Sequence, residues 1–380
     1  MRNEDLPTYF DHNATTPLLP EVVNAMLPFL SEHFGNPSST HIFGRRTRDA
    51  VEKARCQVAA LIGTSSDEIV FTSGGTEANN LAILGTTGML PHKKRVVTSV
   101  IEHPATVESC RLLQGQGREV TWLPVDEFGR IRVGDLRGAV DERTALVTVM
   151  HANNETGTLQ PIAESARVAH SFGALFHTDA AQSVGKVDVR VDDLGVDLLS
   201  IAGHKLYAPK GVGALFIRSG TAMEPVLRGA GHEGGLRPGT ENVASIVGLG
   251  AACGMALVAL AEETLRMARL RDLLWERIHE AVPNAAVNGH PTERLPNTLN
   301  VRFPGVRGSE LLALAPGIAA STGSACHEGG ESPSAVLEAM GLNAEASLGS
   351  VRLSLGRGTT EDDVRLCSDA LVEAWRTASR

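Results

Sequence analysis

Along residues 68–217, short apolar runs alternate with longer segments in which apolar and polar residues are mixed. We interpret the apolar runs as buried strands and the longer segments, such as 77–84 and 162–172, as helices. Buried strands separated by helices are typical of a mostly parallel sheet in an α/β protein. The predicted strands are residues 68–72, 95–99, 145–150, 174–177, 198–200 and 213–217.

The pattern changes after residue 261. Residues 262–281 predict a long, charged amphipathic helix, residues 298–303 predict a strand, and a closing helix is predicted from Glu361 onward. A chain of 380 residues is longer than a single hydrophobic core usually supports. We therefore expect a second, smaller α+β domain in this part of the chain.

Residues 243–261 carry no charge and are long enough to span a membrane. Because most of them are Ala, Gly, Ser or Cys, we interpret the segment as a tightly packed helix, buried in the protein or at a subunit interface. Residues 1–13 are polar and lack the apolar region of a secretory signal. The sequence therefore predicts a protein of the cytoplasm with no membrane role.

Charge and cysteine content narrow the possible partners. The formal net charge is −9, and the densest basic clusters are only residues 93–95 and 45–46, so we expect no direct binding of nucleic acid. The five cysteines are odd in number and widely spaced, which indicates reduced thiols of a cytoplasmic protein. No cysteine or histidine spacing indicates a structural metal site.

Two motifs at strand ends suggest binding of a phosphorylated cofactor. Lys205 ends the motif Gly203-His204-Lys205 after a predicted strand, where burial would lower the pKa of its amine and free it to bond to a carbonyl. Gly74-Gly75-Thr76 leads from another strand into a helix, and such a turn cradles phosphate on backbone N–H groups. Taken alone, the two motifs also fit a surface lysine and a tight turn.

Three further polar residues follow strand ends. Asp179 can pair with a protonated ring nitrogen, His103 can stack on a flat ring, and Asn154 can donate to a ring substituent. Singly, they also fit a helix cap or a structural histidine. Open α/β sheets bind ligands at the carboxyl ends of their strands. Because all of these motifs lie there, together they predict a site for pyridoxal 5'-phosphate (PLP).

In combination the motifs resemble those of cysteine desulfurases, which are fold type I PLP enzymes of the class V aminotransferase-like family. The resemblance implies a mostly parallel seven-stranded sheet in a large PLP-binding domain, residues 15–261. Residues 1–14 and 262–380 would form the small domain, which carries Cys326. The likeness extends over nearly the whole chain, in the motifs at residues 11–17, 35–39, 72–77, 153–157, 203–205, 236–240, 323–326 and 351–357.

The resemblance also implies roles for residues around the cofactor ring. Lys205 would bind PLP covalently, and Asp179 would pair with the pyridinium nitrogen. His103 would stack on the ring, and we assign it as the candidate proton shuttle. Gln182 and Asn154 would contact the ring oxygen.

At the phosphate, the resemblance implies contacts from Gly75, Thr76 and His204. Thr240 would reach the phosphate in the neighbouring subunit, so a homodimer with shared active sites is expected. Many relatives have a serine where this chain has Ala202, and one hydroxyl contact is therefore missing. We expect a modest loss at most, because charge and helix N–H groups dominate phosphate binding.

The substrate side of the site rests on Arg352 and Cys326. By the resemblance, Arg352 would bind the substrate carboxylate as a bidentate fork, with Asn154 as a second contact. Small and polar neighbours predict an exposed Cys326 thiol, which is a good nucleophile, whereas Cys253 in an apolar helix is expected in the core. Cys326 would take sulfur from L-cysteine as a persulfide, release L-alanine, and pass the sulfur to an acceptor protein.

Other functions remain open from the sequence. Residues 324–327, 333–337 and 237–242 resemble the selenocysteine lyase branch, as does the absence of serine at position 202. A sulfur-donor scaffold that acts mainly through a partner is another alternative, whereas Cys326 argues against an ordinary aminotransferase. The acceptor could serve iron–sulfur assembly, tRNA thiolation or DNA phosphorothioation.

Overall fold

A seven-stranded sheet forms the centre of the larger part of the molecule. The computed structural model describes residues 6–322, 326–327 and 330–380, with the backbone alone at 326, 327, 330 and 331. Strand β8 runs antiparallel to both of its neighbours, and every other pair in the sheet is parallel. The predicted mostly parallel, seven-stranded sheet is thus confirmed. Numbered in chain order, the strands across the sheet are β2 (Ile69–Thr72), β8 (Gly213–Ile217), β7 (Leu198–Ala202), β6 (Leu175–Asp179), β5 (Thr144–Thr148), β3 (Arg95–Ser99) and β4 (Glu119–Leu123).

Helices cover this sheet. Strands β5, β7 and β8 are buried at every residue, as their continuous apolar runs predict. A π-helical turn, Leu81–Gly85, joins two short helices into one helical stretch over residues 75–89. The helices before residue 243 are α1 (Pro20–Ser31), α2 (Ile42–Ile62), α3 (Gly75–Asn80), α4 (Thr86–Met89), α5 (Pro104–Gly115), α6 (Val133–Ala139), α7 (Ile162–Ser171) and α8 (Val191–Leu194).

Two strands differ from the prediction for physical reasons. The run predicted over 145–150 ends at Thr148, because the backbone N–H of Met150 is bonded to the buried carboxylate of Glu102 instead of a neighbouring strand. Strand β4 was not predicted from the sequence. It lies at the sheet edge and buries only Leu123 fully, so it has no apolar run.

The two helices predicted over 243–261 and 262–281 are one helix of 39 residues, α9 (Val243–Ala281). Its apolar first half packs against α1 and α2, so closely that a Cβ at Gly250 would lie 2.6 Å from the Cα of Ala54. In the described part of the chain, α9 alone is long and apolar enough to cross a membrane, and half of its apolar window is buried within the protein.

The remaining elements form a smaller α+β unit around its own core, which includes Phe10, Leu274, Leu299, Leu353 and Leu371. An antiparallel sheet in the order β14-β10-β9 lies at its centre. We propose the division into residues 15–261 and residues 1–14 with 262–380, although α9 runs continuously across that boundary. The elements are β1 (Thr8–Tyr9), β9 (Ala286–Asn288), β10 (Thr298–Arg302), α10 (Gly308–Leu314), β11 (Ile318–Ala319), β12 (Cys326–His327), β13 (Gly330–Glu331), α11 (Ala335–Ala339), α12 (Ala344–Leu348), β14 (Ser350–Ser354) and α13 (Glu361–Ala378).

Candidate active site

A cavity of about 380 Å³ lies at the carboxyl ends of the parallel strands. The loops after β2, β3, β5, β6 and β7 line it, together with residues 13–14 and β14. Thr240 is exposed and is not part of this lining, and the Cys326 side chain lies outside the described residues. The predicted site residues that line the cavity are Gly75, Thr76, His103, Asn154, Asp179, Gln182, His204, Lys205 and Arg352.

A larger, open cavity of about 870 Å³ lies in the smaller unit. Arg302, Glu310 and Glu345 are among its lining residues, which include no lysine, histidine or cysteine. It therefore offers no amine, imidazole or thiol for group transfer, and size alone does not identify the reactive site.

Lys205 follows β7 in a 3-10 turn, Gly203–Lys205. Its Nζ donates to the backbone carbonyl oxygens of Asn13, at 2.5 Å, and Ala14, at 2.7 Å. Burial, together with the positive charge of Arg352, lowers the pKa of the Lys205 amine to about 8. Far more of this amine is neutral at neutral pH than in an ordinary lysine, and the neutral amine is the form that attacks a carbonyl.

Asp179 ends β6 as a buried carboxylate whose two oxygens are both held by donors. Asn79 Nδ2 donates to Oδ2 at 2.6 Å, and the backbone N–H of Ala181 donates to Oδ1 at 2.9 Å. Such a carboxylate is oriented to pair with a protonated ring nitrogen. Asn79 was not singled out from the sequence, although it lies four residues after Gly75 and therefore on the same helical face.

His103 caps the start of α5, and its Nδ1 accepts the backbone N–H of Ala105 at 3.2 Å. Burial lowers the pKa of the imidazole, and the charge of Lys205 acts in the same direction. The ring is therefore neutral near pH 7 and carries its hydrogen on Nε2. A neutral imidazole on the cavity wall can stack on a flat ligand and move a proton.

Glu102 is a buried carboxylate next to the site that sequence reasoning missed. It accepts from Ser99 Oγ at 2.5 Å and from the N–H of Met150, which ties together the loops after β3 and β5. Burial raises the pKa of this carboxyl to about 8. No spacing rule indicates the contact, because Glu102 and Met150 are 48 residues apart.

The phosphate end of the cavity is formed by the start of α3 and the turn after β7. The first N–H groups of a helix have no partner inside it and are available to an anion. A Cβ at Gly75 would lie 3.1 Å from the Cβ of Ala202, so the two loops nearly touch and both small residues fit the cradle. The presence of alanine at position 202, where many relatives have serine, thus leaves the backbone groups of the phosphate cradle in place.

His204 contributes to this end as a neutral ring. Its Nδ1 lies 3.2 Å from Thr15 Oγ1, and burial with the nearby Lys205 charge lowers the pKa of the imidazole to about 4. The glycine-rich loop is tied to the cradle through Arg237, whose Nε donates to Glu77 Oε1 at 2.9 Å. The loop that ends at Thr240 is therefore anchored beside the cradle while Thr240 itself is exposed.

Arg352 on β14 is held from two sides. Its Nη2 pairs with Asp11 Oδ1 at 2.7 Å, and its Nη1 donates to the carbonyl oxygen of Asn154 at 3.2 Å. Among the described residues, its buried Nε has no hydrogen-bond partner. The guanidinium is thus held in a fixed orientation at the cavity wall, where it can pair with a substrate carboxylate.

These residues fit PLP. The cavity combines an amine of lowered pKa, a buried carboxylate, a neutral imidazole wall and a helix start suited to phosphate. Its volume is within the range of small-molecule sites. Lys205 would hold the aldehyde carbon, Asp179 the ring nitrogen, and Gly75 and Thr76 the phosphate.

Residues 8–366 match the family model described as aminotransferase class-V. The chain is 47% identical to the cysteine desulfurase IscS of Dictyoglomus turgidum, over 98% of this chain and 96% of that protein. It is 48% identical to the cysteine desulfurase NifS of Azotobacter vinelandii, over 94% and 89% of the two chains. Among solved structures it is similar to a NifS-like protein, with a TM-score of 0.91 and 37% identity over 97% and 99% of the chains.

Proposed function

The chain belongs to the cysteine desulfurases of the aminotransferase class-V family, and from this membership we propose that its cavity transfers sulfur from L-cysteine to Cys326. It is a PLP-dependent enzyme. The observation that carries the proposal for this site is the convergence of Lys205, Asp179 and Arg352 on one cavity. Lys205 supplies the covalent anchor for the cofactor, and Asp179 supplies the carboxylate that pairs with its ring nitrogen. Arg352 supplies the cation that binds the substrate carboxylate.

Bound PLP supplies an electron sink for negative charge that develops next to the substrate amine. Asp179 would keep a proton on the ring nitrogen, and Lys205, whose amine pKa is lowered, would anchor the cofactor and, as the free amine, would take or return a proton at Nζ. Arg352 binds the substrate carboxylate and fixes its orientation. His103 relays protons at Nε2 beside the reacting atoms.

Cys326 acts as the nucleophile on sulfur. A bond forms between Cys326 Sγ and the substrate sulfur as the carbon–sulfur bond breaks, and the electron pair of that bond remains with carbon, which takes up a proton. The products are L-alanine and a Cys326 persulfide, so thiol plus cysteine balances persulfide plus alanine. No external oxidant or reductant is required for this step.

A product assay tests the proposal. With L-cysteine and a thiol reductant, the purified holoenzyme is expected to release alanine and sulfide in equal amounts over many turnovers. Without reductant or acceptor, alanine formation should stop near one equivalent per site, because the persulfide remains on the protein. Heat-inactivated protein is the control. Alanine formed from selenocysteine but not from cysteine would contradict the proposal and favour a selenocysteine lyase.

We propose that the enzyme is a homodimer with shared sites. Thr240 is exposed at the end of a loop anchored beside the cradle, where it is available to a second subunit. Large apolar side chains are exposed on the packed helices α1 and α9, including Leu27, Leu30, Val258 and Leu265. Monomeric proteins rarely expose large apolar patches, so this surface supports burial against a second copy.

The dimer has a direct test. Leu27→Asp, on α1, should convert the dimer into monomers that bind PLP weakly, because a buried carboxylate opposes association and Thr240 no longer reaches its partner's site. Leu366→Asp is a matched control, since Leu27 and Leu366 are both 51% exposed and Leu366 lies on α13 of the smaller unit. Sedimentation and PLP titration provide the measurements. A wild-type monomer with full activity would refute the proposal.

Members of this family pass sulfur to acceptor proteins, and we propose that this enzyme does so in the cytoplasm. Among the described cysteines, Cys56 is exposed while Cys110, Cys253 and Cys367 are buried, and all four are free thiols. Reduced cysteines support a reducing compartment. The burial of half of the apolar window of α9, together with its packing on α1 and α2, supports a role without membrane insertion.

A further inference from the structure

A buried lysine lies directly behind the cavity and has no role in the reaction described so far. Lys186 is only 7% exposed and stands four residues after Gln182 in the turns that follow β6. Its Nζ donates to Gln182 Oε1 at 2.9 Å and to Asn13 Oδ1 at 3.2 Å. Among the described residues, no carboxylate forms an ion pair with this amine.

Burying an ammonium group without a counter-ion is costly. Burial, with the positive charges of Lys205 and Arg352, lowers the pKa of Lys186 to about 7. A hydrophobic residue of similar size would avoid this cost. An unpaired amine at the back of a ligand cavity is therefore a candidate for a functional role.

The contact of Lys186 with Gln182 determines how the amide faces the cavity. An amide has an oxygen that accepts and a nitrogen with two N–H donors, whereas a lysine amine in its charged form only donates. The oxygen of Gln182 must therefore face Lys186. Its Nε2 gives one N–H to the carbonyl oxygen of Asn13 at 2.9 Å. Since Gln182 lines the cavity, the second N–H is left for a bound group.

We propose that Lys186 is a positioning residue that holds the Gln182 amide with an N–H toward the ring oxygen of PLP and so favours the ionised form of that oxygen. The inference rests on the proposed function insofar as it requires PLP in this cavity. Without Lys186, only the Asn13 carbonyl oxygen would favour this orientation of the amide. Rotation of the amide by half a turn would then be easier and would present its oxygen, which would repel an ionised ring oxygen.

The charges around the cavity agree with this role. Because no carboxylate pairs with Lys186 among the described residues, an anionic ligand oxygen would supply the counter-charge that Lys186 lacks. Among the described residues, the titratable and charged groups that line the cavity are His103 of α5, Asp179 of β6, His204 and Lys205 after β7, and Arg352 of β14. Asp11 pairs with Arg352, and burial with the charge of Lys186 lowers the pKa of His12 to about 4.

The first test uses Lys186→Met, which retains length and removes the charge. We expect the pH midpoint of the absorbance change of bound PLP to rise by about one unit, because the Gln182 N–H is then no longer held toward the ring oxygen and the ionised form of that oxygen is disfavoured. The affinity of the apoprotein for PLP should fall about tenfold. Lys53→Met, at an exposed position of α2, is the matched control and should change neither value. An unchanged midpoint in Lys186→Met would overturn the inference.

A double-mutant cycle separates positioning from a general structural effect. If Lys186 acts through Gln182, Lys186→Met should not shift the midpoint further in a Gln182→Ala background. An equal shift in both backgrounds would overturn the inference. Gln182→Glu keeps Lys186 in place, so it remains informative if Lys186→Met does not fold. It should raise the midpoint because the side chain no longer offers an N–H, and an unchanged midpoint would again contradict us.

These measurements read the bound cofactor and not turnover. A protein that binds PLP with the expected midpoints but forms no alanine from cysteine would refute the proposed function and support this inference. An active enzyme whose midpoint does not change on substitution of Lys186 or Gln182 would refute this inference and support the proposed function.

Discussion

Replacement of Cys326 by alanine is expected to abolish alanine formation from L-cysteine while PLP stays bound. Removal of an enzyme's nucleophile costs roughly 10³-fold or more in turnover. The contacts proposed for Lys205 and Asp179 with the cofactor, and for Arg352 with the substrate, do not involve the thiol, so PLP absorbance and cysteine-induced spectral changes should persist. Sulfur, however, would have no acceptor. With selenocysteine we expect a much smaller loss, because selenium is the better leaving group and needs less help from a nucleophile.

The Cys326 prediction is checked by measuring alanine release from both substrates and by intact-protein mass spectrometry for an added sulfur atom. Cys56→Ala is the control, since Cys56 is the exposed thiol among the described cysteines. It should retain both activity and persulfide formation. Full cysteine turnover by Cys326→Ala would remove Cys326 from the mechanism and return the chain to a general PLP lyase.

Strands could be predicted from the sequence where successive residues of a run are buried. Strands β3 and β8 have the predicted bounds because each is an uninterrupted run that ends at a turn. Strand β4 was missed because Glu119 and Trp122 lie at a partly exposed edge. The segments predicted as two helices on either side of residue 261 form one helix, because a helix can pass from an apolar to a charged environment without ending.

Only those site residues that lie at the ends of strands could be predicted from the sequence. Lys205, Asp179 and Gly75 each follow a strand, so a shared edge of the sheet could be inferred. Asn13 could not be assigned a role in this way. It bonds through its backbone oxygen to Lys205 and through its side chain to Thr298, which lies 285 residues further along the chain. Such contacts depend on how the two units pack, and local pattern carries no information on that packing.

The second large effect concerns Lys205. Lys205→Ala is expected to lose the covalently attached PLP and at least about 10³-fold in activity, since it removes both the anchor and a proton carrier. The lowered pKa gives a further expectation for the wild-type apoprotein. Because only the neutral amine attacks the cofactor aldehyde, attachment should become faster as pH rises through about 8 and level off above it. An ordinary lysine would show this rise only near pH 10.

Borohydride reduction followed by mass spectrometry measures the attachment, since reduction makes the bond between amine and cofactor permanent. Lys210→Ala is the matched control, because Lys210 is exposed five residues further along the same loop and does not line the cavity. Reduced PLP retained in Lys205→Ala at the wild-type level would show that another amine is the anchor. Lys186 would then be the first candidate, since it is buried behind the same cavity and its pKa is lowered to about 7.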